Sequence, residues 1–232
     1  MGFFDNVNRD ESLSVDNDVI GGYSPIPTGV YKGTIEMAHT IESKSGAKGI
    51  RLVLNLSVQG KPRTYEETLY VTSRTGNTFS VNSEGVRRNL GGYDKMQSLT
   101  NLVLNEDLFK ATIEQRPIKI RDQQPVLCGV LVGLLNKEIS VAIFETIENG
   151  RGKLANGEYG NTNEKRFGNE IAKIFNNKGF TLNELKEGKE KPEFALEWKE
   201  KWQDKQKNNF KEVKEDSSVS SPEAQGAAID FS

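Results

Sequence analysis

The chain has 232 residues, 35% apolar and 28% charged, a composition that supports one core without burying the whole length. A single cysteine, Cys128, excludes an intramolecular disulfide, and a single histidine, His39, excludes the usual zinc ligand sets. The net charge of −2 is unevenly spread: residues 1–25 hold five acids and one base, residues 215–232 hold four acids and no base, and the stretch between them carries six surplus positive charges.

A basic middle between acidic ends suits a polyanion partner, with ends able to compete for the same surface. It is equally compatible with an ordinary solvated surface. The longest apolar run, Val126 to Leu135, is too short to span a bilayer. No basic-then-apolar leader opens the chain, and Asn6 stands where myristoylation needs Ser or Thr. The expectation is a soluble protein of a reducing compartment.

Residues 1–25 read as a flexible acidic arm. Val30 to Ala38 reads as a strand that bends at Gly33, with His39 a surface residue just past its end. Ser43-Lys44-Ser45-Gly46 is a turn. Ile50 to Val58 is the clearest strand, with Ile50, Leu52, Leu54, Leu56 and Val58 on one face and Arg51, Val53, Asn55 and Ser57 on the other. After Gly60-Lys61-Pro62, Thr64 to Thr72 is a third strand with Tyr70 outward.

Residues 73–93 form a long polar loop, and loops of that length are functional or disordered. Asp94 caps a helix over 95–104. Pro117 to Ile120 is a short strand, and Val126 to Leu135 forms a hairpin with Glu138 to Ile147. Residues 148–166 are Gly- and Asn-rich and read as a flexible loop. A helical extension over 167–214 follows, with a short helix at Phe167–Phe175 and a longer one at Phe194–Lys214. In the longer helix Phe194, Trp198 and Trp202 share a packing face. Residues 215–232 read as a disordered acidic tail with an apolar tip.

Enzyme motifs are absent, so no catalytic residue, metal or cofactor is expected. There is no phosphate-binding G-x-x-x-x-G-K-[ST] and no G-x-S-x-G elbow. Gly150, Gly152 and Ala155 match only a loose Gly-rich pattern that opens no helix. A metal nuclease assembled from distant acids is the remaining enzymatic alternative.

Three strands, a helix and a hairpin make the element order of a five-stranded OB-fold barrel, here spanning 26–147. The fold expectation is thus mainly β with helices: that barrel, a C-terminal helical extension and disordered tails. Such barrels hold single strands with cations on phosphates and aromatic rings on bases. Arg51 and Tyr70 lie on outward strand faces; Arg74, Phe79, Arg87, Arg88 and Tyr93 lie in the long loop; Lys44, Lys48, Lys61 and Arg63 flank the strand turns; Arg151 and Lys153 follow the last hairpin. Each also has a structural reading, since outward Tyr suits any strand and surface Lys is commonly only solvated. Ile229, Asp230 and Phe231 suit a docking peptide, with the Phe in an apolar pocket and the acid on a cation.

The run Ile26-Pro27-Thr28-Gly29-Val30-Tyr31, then Ile35, Glu42-Ser43-Lys44-Ser45-Gly46 and Ile50-Arg51-Leu52, resembles the opening of phage-encoded OB-fold single-stranded-DNA-binding proteins. Ile229-Asp230-Phe231 is similar to the acidic, Phe-bearing tip of bacterial and phage single-stranded-DNA-binding proteins, although Ser232 follows the Phe here. The resemblance spans about 26–73 and the last six residues. It implies DNA replication or recombination in a bacterial host cytoplasm, with single-stranded DNA as ligand and phage proteins recruited through the tail. The alternatives are a cofactor that holds a phage RNA polymerase on its template, and a structural or assembly protein without a nucleic-acid role.

Overall fold

The computed structural model describes residues 24–119, 124–154 and 157–213. The acidic arm before Ser24 and the tail with Ile229, Asp230 and Phe231 lie outside the described residues. The fold is mainly β with few helices.

Strands β1 (Gly29–Glu42), β2 (Lys48–Val58) and β3 (Lys61–Tyr70) form an antiparallel meander. The strict alternation in β2 places Leu52, Leu54 and Leu56 wholly inside, with Arg51 on the other face opposite Thr68 of β3. Gln59 and Gly60 both take positive φ in the tight β2–β3 turn, the twist that a two-residue hairpin demands. β1 bends at a bulge between Ile35 and Met37, not at Gly33. At Gly33 the strands approach too closely for a side chain: a Cβ would sit 2.5 Å from the Asn55 carbonyl oxygen. His39 is 4% exposed, not a surface residue, because β1 continues to Glu42 and lies against Val130 there.

The long loop contains a small separate hairpin, β4 (Phe79–Val81) with β5 (Arg87–Asn89). Helix α1 (Gly91–Leu104) follows and buries Met96 and Leu99. Its N-cap is Leu90, not Asp94; Asp94 sits in the first turn, where its charge favours the helix dipole and its carboxylate accepts from Asn89. β6 (Ile113–Ile118) and β7 (Val126–Leu131) form a hairpin, and a 3-10 turn at 132–134 leads onward.

β8 (Glu138–Lys153) and β9 (Tyr159–Asn176) make the longest hairpin. This corrects three expectations. Residues 148–166 are not a flexible loop along their described length, Phe167–Phe175 is strand, and β7 does not pair with β8. The Gly and Asn residues that suggested a loop sit on a two-stranded ribbon, where Gly150 and Gly152 face Thr162 closely and Asn149 and Asn163 bond backbone. Helices α2 (Leu182–Lys186) and α3 (Phe194–Trp202) follow, then β10 (Lys207–Asn208) parallel to β8. The helix expected to reach Lys214 therefore ends at Trp202.

One edge of β8 carries β1 and then β10, and the other carries β9; β2 and β3 extend the sheet beyond β1. The sheet curls over a core that includes Ile35, Leu54, Met96, Leu99, Ile139, Ile143 and Ile171. It is not closed into a barrel, because β3 and β9 form no ladder. On the outer face of β8 and β9, Trp198 and Trp202 pack on Phe144 with ring centroids 5.1 and 5.2 Å apart, as their spacing suggests.

Thr181 and Glu184 form a reciprocal capping box on α2, and Glu184 also accepts from the Glu193 and Phe194 amides that start α3. Thr181→Ala removes only the hydroxyl acceptor and should cost about 1 kcal/mol in urea unfolding. An unchanged midpoint would mean that Glu184 alone holds this corner.

Candidate nucleic-acid interface

The gap between β3 and β9 is bridged by side chains. Glu67 of β3 accepts from the Ile171 amide of β9 at 2.7 Å and from the Tyr65 hydroxyl at 2.6 Å. Lys95 of α1 lies 3.9 Å from Glu67 and 3.8 Å from Glu170, and Lys207 binds Glu170 at 2.8 Å. Burial raises the Glu67 pKa above the ordinary carboxylate value, while Tyr65, Ile171 and Lys95 pull it back.

Elsewhere along the gap a cleft of about 620 Å³ opens, lined by Arg51, Arg63 and Glu66 on one side and Arg166, Phe167 and Asn169 on the other. The leading segment Ser24–Thr28 is stitched into the same gap. Asn169 both donates to and accepts from the Ile26 backbone, and Arg63 donates to the Ser24 carbonyl at 2.8 Å.

The cations differ in availability. Arg51 is neutralised by Glu66 across the β2–β3 pair. Arg63 binds only a neutral carbonyl, and Arg166 makes no ion pair among the described residues, so both keep their charge for a ligand. Phe167 beside Arg166 is 46% exposed, a costly position for an apolar ring unless something covers it. Past Phe167 a second hollow of about 600 Å³ is lined by Arg151, Tyr159, Glu164 and Lys165. Tyr159 is 71% exposed and donates to the Arg151 carbonyl. The two hollows meet at Arg166 and Phe167, which line both, and are taken together as a groove.

Of the residues expected to bind DNA, the fold brings Arg51, Arg63 and Arg151 to this groove; Lys153 is exposed at the end of β8, opposite Tyr159. Lys44, Lys48, Tyr70 and Arg74 gather at the other end of the β2–β3 pair. There Val71 donates to the Lys48 carbonyl and Gly46 lies against the Arg74 backbone. Lys61 is exposed at the turn that opens β3. Phe79 is covered by Arg87, whose guanidinium lies 4.9 Å from the ring centroid, and Arg88 is exposed on the same hairpin. Tyr93 stacks on Phe109 at 5.9 Å and packs against the core, which removes it from the loop and gives it a structural role.

Tyr159, Lys165, Arg166 and Phe167 escape the sequence reading because their segment is taken for loop and helix. The run Lys165-Arg166-Phe167 carries the available signal: adjacent cations and a ring in a polar stretch. No protein-family model matches the chain, and no curated protein matches it.

Proposed function

We propose that the chain is a non-enzymatic, sequence-tolerant single-stranded-DNA-binding protein that coats and protects the strand during phage replication or recombination. The observation that carries this reading is the groove, where Arg63 and Arg166 keep their charge beside exposed Phe167 and the track runs on to Arg151 and Tyr159. Cations take successive phosphates, and rings take base faces without regard to sequence. The cleft along the gap favours an unpaired strand, whose bases are free to turn inward.

The strand connectivity supports an OB-type reading with different members from those expected. β1, β2, β3, β8 and β9 would be the five strands, α1 the helix between the third and fourth, and β6–β7 an inserted hairpin. The gap would be the place where such a barrel stays partly open, and the β8–β9 ribbon would be the binding loop between its last two strands. Recruitment of phage proteins by Ile229, Asp230 and Phe231 is part of the proposal and falls outside the described residues.

The test is fluorescence anisotropy of a labelled ~30-nucleotide poly-dT, long enough for at least one site, against a duplex of equal length at two salt concentrations. Binding to the single strand alone, weakening steeply with salt, is the expected result. No binding to either ligand would leave a structural or assembly protein, and cleavage in the presence of a divalent metal would make the chain a nuclease.

A further inference from the structure

The β6–β7 hairpin extends the sheet away from the groove and carries features that the DNA reading does not use. β6 pairs only with β7, so its other edge bears no strand among the described residues. Every β6 residue except Ile118 is exposed. Phe109 and Leu127 are 64% and 69% exposed, and with Ile113 they border an apolar hollow of about 550 Å³ floored by Leu131. Open strand edges with apolar flanks pair with other strands.

We propose that this edge is the contact between two copies of the chain, joined through antiparallel β6 strands about a two-fold axis at Gln115. The edge is self-complementary in that register. With Gln115 opposite its counterpart, Glu114 faces the second copy's Arg116 and Arg116 faces its Glu114. On the other face Ile113 meets the second copy's Pro117. Side chains alternate, so the charges share one face and Ile113, Gln115 and Pro117 share the other with Leu127 and Leu131 of β7. The contact thus joins an apolar stripe on one face and closes two ion pairs on the other. Within one chain Glu114 and Arg116 are limited to an exposed pairing with each other. Pro117 offers no N–H, which confines pairing to a short stretch and disfavours open-ended stacking.

Sedimentation of the full chain without oligonucleotide tests this independently of DNA binding. The expected result is a species of twice the chain mass at tens of micromolar. Glu114→Arg or Arg116→Glu alone sets like charges opposite and weakens self-association about tenfold. The double variant restores it, because each pair re-forms with its signs exchanged. These side chains are exposed, so thermal unfolding should not move at concentrations where the chain is monomeric. Gln115→Cys in a Cys128→Ser background should give a disulfide-linked dimer under mild oxidation. Monomer throughout the concentration range overturns the proposal, as does a dimer indifferent to both single reversals and unlinked by Gln115→Cys. A chain that dimerises only after removal of residues 214–232 assigns this face to its own tail and overturns it too.

Discussion

Replacing Arg63 and Arg166 together with glutamate should weaken single-strand binding on the order of a hundredfold and flatten its salt dependence. Each phosphate held by a cation contributes about 0.7 to the logarithmic salt slope on a single strand, so losing two removes about 1.4. Reversal adds repulsion to that loss. These two residues are the informative choice because neither makes an ion pair among the described residues, whereas Arg51 is already neutralised by Glu66. Phe167→Ala should cost about 1–3 kcal/mol, the contribution of one stacked base, with the salt slope unchanged. Charge and stacking are thereby separable on adjacent residues. Arg88→Glu serves as the comparison, since the β4–β5 hairpin is a separate sheet and lines neither hollow. A larger loss from Arg88→Glu than from Arg166→Glu would move the site to that hairpin and defeat the groove assignment.

The largest stability effect should come from Glu67. Glu67→Ala leaves the buried Ile171 amide without its acceptor and removes the bond to the Tyr65 hydroxyl, and should cost about 1–3 kcal/mol. Burial raises the carboxyl pKa in the folded chain above its value in the unfolded chain. The folded state therefore holds the Glu67 proton more tightly. The resulting stabilisation is full at pH below the unfolded pKa and is lost as pH rises through the folded one. Glu67→Gln keeps an acceptor for Ile171 and cannot ionise, so its unfolding free energy should decline less across that window. Urea titrations at mildly acidic and neutral pH measure the difference. Parallel curves for wild type and Glu67→Gln would show that ionisation of this group does not affect stability.

How much was legible follows from what each signal depends on. β2 is plain because Ile50, Leu52, Leu54, Leu56 and Val58 recur at every second position, and that alternation is local. The Trp198 and Trp202 face was plain for the same reason at helical spacing. The end of β1 is hard to read because His39 is polar, although the sheet buries it beside Val130, a residue far along the chain. β9 is not legible because its outer half is rich in Asn, Gly and charge. Those residues hold strand geometry by pairing with β8 and by the Asn149 and Asn163 side chains bonding residues 211 and 213. The groove was half visible: Arg51, Arg63 and Arg151 were identifiable, while their meeting with Arg166 and Phe167 depends on a curl of the sheet that no local pattern encodes.

The connectivity of β1 also bears on the order in which a nascent chain can fold. β1, β2 and β3 are contiguous and can associate as soon as Tyr70 has emerged. The other side of β1 pairs with β8, with Gly29 opposite Ile143, so that edge must wait for residues synthesised much later. At about 5–20 residues per second the delay is on the order of ten seconds, during which an unpaired apolar strand edge stands open on the ribosome. The gap against β9 waits longer still, since the Ile171 amide must be present to donate to Glu67. The groove is therefore completed only after the β1–β3 meander, and a chain released before β9 has the Arg51 and Arg63 wall without the Arg166 and Phe167 one.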